Sequence, residues 1–217
     1  MTTTPLTIQC KAVEPFMKNG YVAVCAGTRH GAYVDPGDEA VEMLEWIDRS
    51  EIELVSILLT HAHLDHISGV GLVKQDWDVP IFLHQEDEFL YKALAEQAEW
   101  FGLQCDPAPP VDYHLHPAQQ LSIGDLRVRV IHTPGHSPGS VSFVIHDDVF
   151  CGDVIFAGSI GRTDLPGGSS EILLKTIQSK ILPLGPSVTL RPGHGPSTTV
   201  EKEKRENPFL QQLLPME

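Results

Sequence analysis

Apolar positions recur along this chain at two periods, two residues and about 3.6, and the switching between them outlines its elements. Residues 21–26 (YVAVCA) and 31–37 (GAYVDPG) are apolar runs separated by Gly27-Thr28-Arg29-His30, the outline of a hairpin. Residues 38–49 set Val41, Leu44, Glu45 and Ile47 or Asp48 on a helical repeat entered through Pro36-Gly37. Residues 53–60 (ELVSILLT) are apolar almost throughout, as a buried central strand requires, and stop at a cluster of histidines. A short helix over 66–74 and a strand over 79–84 follow. Residues 86–101 then place Phe89, Leu90, Ala93, Leu94, Gln97 and Phe101 on one face of a helix packed on a sheet. Four prolines, Pro107, Pro109, Pro110 and Pro117, make 102–118 an irregular loop. Residues 126–132 (LRVRVIH) alternate cleanly, with Arg127 and Arg129 outward, so they predict a half-buried antiparallel strand. Strands over 140–146 and 148–153, a helix over 170–181, a strand over 187–191 and a charged helix near 200–206 complete the chain. Strands interspersed with helices predict one mixed α/β domain over 1–217, its core about 6–206, with no internal linker or exact repeat.

Composition narrows the function. The 217 residues suit a single core. A formal net charge of −14 without a Lys/Arg-rich stripe excludes nucleic acid as a partner and opposes anionic substrates unless local cations or metal ions offset it. No apolar run reaches the roughly 18 residues that span a bilayer. The opening MTTTPLTIQC lacks a basic segment followed by an apolar one, so no membrane association is expected and a cytoplasmic location is. Cys10, Cys25, Cys105 and Cys151 show no CxxC spacing and are expected as reduced thiols, Cys151 as a small buried hydrophobe. A monomer or homodimer is expected.

The chemistry gathers at His61-Ala62-His63-Leu64-Asp65-His66. In extended backbone His61 and His63 point to the same side, and a turn into a helix swings Asp65 and His66 toward a second, adjacent position. Burying such a cluster without a cation would be costly. Three further candidates end strands beside glycine: His136 in TPGHSPG, Asp153 in CGD and His194 in RPGHGP. Glycine there lets the backbone approach a metal closely.

Taken in order, HAHLDH, TPGHSPGS, CGD and PGHG resemble the metallo-β-lactamase superfamily over nearly the whole chain. Within it, GSIGRTDLPGG (158–168) and GPSTTVEKEKRENPFL (195–210) resemble the single-domain glyoxalase II-like hydrolases. The resemblance implies an αββα sandwich of two mixed sheets flanked by helices, with a two-metal site where the sheets meet. By position, His61, His63 and His136 would bind one ion, Asp65, His66 and His194 the other, and Asp153 both. The ions would be zinc, iron or manganese, with zinc favoured. Asp65 and Asp153 would be the carboxylates working beside a shared hydroxide that attacks the carbonyl of a thioester such as S-D-lactoylglutathione, releasing D-lactate and glutathione. A departing thiolate needs no separate general acid. The substrate is thus expected to be a small thioester, a glutathione-linked one among them.

Some features of the resemblance leave alternatives. The two-domain enzymes carry a C-terminal glutathione-binding helical domain, which this sequence is not expected to have; broader ester or lactone hydrolysis therefore stands beside the thioester reading. A persulfide dioxygenase, with one iron on His61, His136 and Asp153, is the rival of another class. A β-lactamase is disfavoured because the zinc enzymes commonly carry cysteine where Asp153 stands. Two-domain glyoxalase II enzymes have a glutathione-binding lysine where Arg162 lies; Arg162 is thus either a substrate residue or the partner of Asp164 in fixing its loop. Of the other histidines, His30, His84, His132 and His146 have no ligand partner at useful spacing, whereas His114 and His116 are expected to line the cleft. Asp35, in a VDPG turn, is expected either behind the ligands or in a plain turn.

Overall fold

The computed structural model describes residues 4–211. Its first half is a sheet built from β1 (Leu6–Lys11), β2 (Gly20–Cys25), β3 (His30–Val34), β4 (Glu53–Leu58), β5 (Ile81–His84) and β6 (Tyr113–Leu115), in that order. The first three strands run antiparallel, and β3 to β6 run parallel. Between them lie α1 (Ala40–Arg49), α2 (Leu64–Ile67), α3 (Val70–Asp76), α4 (Glu88–Lys92) and α5 (Leu94–Trp100). The second sheet joins β7 (Gln120–Ile123), β8 (Leu126–His132), β9 (Val141–Ile145), β10 (Asp148–Gly152), β13 (Thr189–Pro192) and β14 (Thr198–Thr199). The hairpin β11 (Ile155–Phe156) and β12 (Ser159–Ile160) stands apart. Helices α6 (Ser170–Thr176), α7 (Val200–Glu206) and α8 (Pro208–Gln211) belong to this half.

Side-chain alternation turns these strands into four layers. Along β2, Val22 and Val24 meet Met43, Ile47, Ile67 and Val70 of the first helical layer. Their neighbours Tyr21, Ala23 and Cys25 face Val128, Val130, Phe143 and Phe150 of the second sheet. Along β10, Val149 and Cys151 turn the other way, toward Leu173 and Ile177 and toward Val200 and Leu210. The order is therefore helix, sheet, sheet, helix, with the αββα layering expected. Arg127 and Arg129 are exposed as predicted, and β4 is an inner strand parallel to both its neighbours.

Several elements differ from expectation. The 86–101 helix is two pieces after a 3₁₀ turn, and the break at Ala93 resets the phase. Leu90, Leu94, Gln97 and Ala98 turn inward, while Phe89 and Phe101 are left about half exposed. The 102–118 loop contains β6, a three-residue strand too short to show a period. The helix expected from 66 begins at Leu64 and pauses at Ser68-Gly69. Gly69 there lies so close to the Pro36-Gly37 backbone that a β-carbon would overlap it. The 170–181 helix changes to a π turn over Ile177–Ile181. Strand β1, strand β7 and the β11–β12 hairpin were not foreseen. No helix among the described residues is long and apolar enough to cross a membrane.

Phe143 is fully buried between the two sheets. Phe143→Ala is expected to cost about 3–5 kcal/mol in urea unfolding, from lost burial plus an unfilled cavity. Arg127→Ala, on the exposed face of β8, is expected to change stability by at most about 0.5 kcal/mol.

Candidate metal centre

The C-terminal ends of β4, β8, β10 and β13 point to one edge of the sandwich, and each delivers a piece of the site. Beyond β4 the chain stays extended through His63, then enters α2 with Asp65 and His66 in its only turn. His136 sits in the turn from β8 to β9, Asp153 follows β10 directly, and His194 follows β13. The first sheet thus contributes four of the seven expected ligands and the second sheet three.

The seven side chains converge as two groups. Nε2 of His136 lies 2.8 Å from His63 Nδ1 and 3.1 Å from His61 Nε2. On the other side His194 Nε2 lies 3.0 Å from Asp65 Oδ2, and His66 Nε2 is 3.6 Å from the same oxygen. Asp153 stands between the groups. Its Oδ1 is 3.4 Å from His66, and its Oδ2 is 3.7 Å from His136 and 3.6 Å from His194. A β-carbon at Gly193 would overlap the Asp153 carboxylate and the His66 ring, so only glycine lets the β13 loop come this near.

Polar neighbours hold these rings from behind. Nδ1 of His136 donates to the Arg162 carbonyl at 2.7 Å, which leaves the Nε2 lone pair facing inward. Nδ1 of His66 lies 2.9 Å from Asp35 Oδ2, so its Nε2 is likewise aimed at the centre. Asp35 also accepts from Thr60 N–H and Oγ1–H at 2.7 and 2.5 Å. These three contacts explain its left-handed backbone, φ +53°, and place it behind the ligands rather than in a plain turn.

The donor set fits metal ions. Among the described residues, the buried side-chain polar atoms without any hydrogen-bond partner are His66 Nε2 and Asp153 Oδ1, which face each other at the centre, and His63 Nε2, on a ring whose Nδ1 faces His136. Leaving such atoms unpaired is costly, and imidazole and carboxylate are the donors that divalent transition ions take. Electrostatics agree. Burial, reinforced by the neighbouring rings, pushes His63 down to about 3 and His61 well below the usual imidazole range, so both rings are neutral. Burial opposes charge on His66 too, but Asp65, Asp153 and Asp35 outweigh it and raise its pKa to about 10. The carboxylate side therefore holds a proton where a cation would serve as well.

Two supports were not visible in the sequence. Asp87 is fully buried and accepts from Ala62 N–H, Ser137 Oγ–H and Gly139 N–H at 3.1, 2.6 and 2.6 Å, tying the His61–His66 loop to the His136 loop. Burial raises its pKa, against those three donors. In QEDE it looks like one more acid at a helix start, and no local signal separates it from Glu86 or Glu88. Gln97 accepts from Leu64 N–H and donates to the carbonyls of Ala62 and Leu90, fixing the same loop from α5.

Other expected residues lie differently. His114 and His116 do not line the cleft at the centre; His114 instead faces Glu88 at 3.5 Å, because β6 joins the sheet edge beyond it. His84, Glu86 and His132 form a separate group. The His84 and His132 rings are stacked 4.3 Å apart and only 11° from parallel, so their in-plane lone pairs cannot meet at one ion. Arg162 does border the cleft, but its guanidinium holds Asp164 through two bonds of 2.8 and 2.7 Å. Cys151 is buried against the Ile155 and Arg191 carbonyls.

Residues 14–200 match the family model described as the metallo-beta-lactamase superfamily. The hydroxyacylglutathione hydrolase GloC of Haemophilus influenzae is 39% identical over 84% of this chain and 88% of its own. The crystal structure of BLEG-1, a B3 metallo-beta-lactamase, superposes with a TM-score of 0.88 at 38% identity, over 94% of this chain and 99% of that one. TTHA1623, solved in a di-iron-bound form, gives 0.84 at 36% identity, over 93% and 100% of the two chains.

Asp87→Asn puts an amide donor among three donors and should weaken metal retention by about 10- to 100-fold. Competition with a chelator, followed by metal analysis, checks this; wild-type retention would show that the loop clamp is unnecessary. Asp153→Ala should lose more metal than any substitution outside the seven.

Proposed function

The chain belongs to the metallo-β-lactamase superfamily and is a metallo-hydrolase of it, and on that premise we propose that it is a glyoxalase II-like thioesterase with two metal ions. The observation that carries this reading is the placement of Asp153 between two complete three-residue donor groups at the floor of an open cleft. His61, His63 and His136 would hold one divalent ion, Asp65, His66 and His194 the other, and Asp153 both. When bound, such ions acidify a coordinated water and polarise a carbonyl oxygen. Zinc, iron and manganese all suit these donors; the donor chemistry favours zinc, and TTHA1623 is a precedent for iron.

The chain's own groups do the rest. Asp35 and the Arg162 carbonyl keep His66 and His136 in register. Asp87 and Gln97 hold the histidine loop rigid, so that donor positions survive substrate entry. Leu64 and Leu90, both buried, give the cleft an apolar flank, where charge developing on the substrate is less well screened than in water. In the reaction, a water oxygen bonds to the thioester carbon and gives up one proton, the carbon–sulfur bond breaks, and the thiolate leaves with the electron pair and takes up that proton. The products are a carboxylic acid and a thiol. The thiolate is a stable leaving group, consistent with a cleft that offers, among the described residues, no free acid besides the expected ligands. Arg162 commits its Nε and one Nη to Asp164, so contact with substrate would come from its remaining N–H donors. A small-molecule thioester is therefore the proposed partner, acted on by one domain, either alone or as a homodimer.

β-Lactam hydrolysis, disfavoured on the sequence because of Asp153, is a second reading that the likeness to BLEG-1 supports. The two separate in one assay. Protein stripped with a chelator should lose hydrolysis of S-D-lactoylglutathione by at least about 100-fold and regain it on adding zinc, iron or manganese. Rapid cleavage of a β-lactam with no thioester turnover would replace the proposal with the second reading. Oxygen uptake on glutathione persulfide without hydrolysis would replace both.

A further inference from the structure

The cleft above the metal ligands has two unlike halves. Its floor is His63, Asp65, His136, Asp153 and His194. Its walls are Phe16, Leu90, Trp100, Phe101, Leu165 and Pro166 around about 760 Å³ of free space that includes the open mouth. Phe16 and Phe101 pack edge to face with centroids 5.3 Å apart, so the aromatic wall is preorganised. Yet Trp100 and Phe101 are each 55% exposed. Two large rings left bare at the mouth of a reactive cleft are a surface for an apolar ligand group.

Among the described residues, the polar side chains in the walls are largely committed elsewhere. Gln97 spends both ends of its amide on backbone groups. Arg162 is the cationic side chain lining the cleft, and Asp164 takes its guanidinium in a bidentate pair. Lys18, nearby in the fold, is 2% exposed and bound to Glu39 and the Asp35 carbonyl. With a formal charge of −14 on the chain and Arg162 neutralised by Asp164, the described walls carry no net positive charge to draw an anionic thiol.

We propose that the aromatic wall makes this cleft selective for thioesters with an apolar or aromatic acyl group on an uncharged thiol, over thioesters of anionic thiols such as glutathione. The inference rests on the thioesterase reading above and adds its substrate class. Hydrolysis follows the same balance: water adds to the acyl carbon, the carbon–sulfur bond breaks, and the acid and thiol leave. Trp100 and Phe101 are the specificity-determining residues, since they meet the acyl group and not the reacting atoms.

The test compares kcat/KM of the metal-loaded protein for N-acetylcysteamine thioesters of acetate, hexanoate and phenylacetate, with S-D-lactoylglutathione alongside. The ratio of phenylacetyl to acetyl should be about tenfold or more, carried mainly by KM, and S-D-lactoylglutathione should fall below phenylacetyl by a similar factor. Trp100→Ala and Phe101→Ala should each shrink the phenylacetyl-to-acetyl ratio severalfold while metal content stays at its wild-type value. A flat acyl series, a preference for the glutathione thioester, or an unchanged ratio in both variants would overturn the proposal. Binding separates its failure from that of the thioesterase reading. In a fluorescence titration, a non-hydrolysable phenethyl thioether should saturate a signal that Trp100→Phe removes, whereas S-methylglutathione should not. Saturation without turnover of any thioester would retire the thioesterase reading and keep the apolar site; no saturation would retire the site.

Discussion

The structure depends on a crowding of lone pairs that protein groups alone cannot satisfy. Three ring nitrogens meet around His136 within 3.1 Å, and three carboxylates surround His66. Buried donor atoms at this density repel one another unless cations lie among them. The arrangement fits a metal centre, and much of the fold holds it against its own repulsion. Four strand ends from two sheets deliver the ligands, so no single loop carries the strain.

The supports share one design. Each ligand loop is tied by a buried side chain that reaches it from another element: Asp35 to His66 and Thr60, Asp87 to both histidine loops, and Gln97 to the backbone around Ala62 and Leu64. The β13 loop is fixed in the same way from the first sheet. Asn19 donates to the Pro192 and Gly195 carbonyls, and Tyr21 donates to Pro192. Lys18, Glu39 and Tyr33 close a buried network under the Asp35 turn. Among the described residues, none of these tying side chains has a buried polar atom left without a partner, which helps a buried network hold its geometry.

Most of this centre was legible in the sequence because its ligands sit in short motifs at strand ends. HAHLDH packs four donors into six residues, and glycine flanks mark His136, Asp153 and His194. The long periodic strands were legible for a similar reason: one face of β8 is apolar and the other charged. What escaped was set by tertiary contact. Asp87 and Gln97 become supports only when α4 and α5 lie over the His61–His66 loop, and no local pattern encodes that. Phe101 looked like core on a continuous helix, and the break at Ala93 turned it to the cleft mouth. His114 looked cleft-lining by its position in the loop, but β6 took it to the sheet edge.

Metal centre and aromatic wall together describe a hydrolase whose reaction is set by its floor and whose choice of substrate is set by its walls. The most direct test of the centre is a titration of metal-free protein with zinc, following thioester hydrolysis against ions bound per chain. Activity should reach its plateau at about two ions per chain, with Asp153→Ala unable to reach it. Full activity at one ion, or hydrolysis that persists in the metal-free protein, would contradict it.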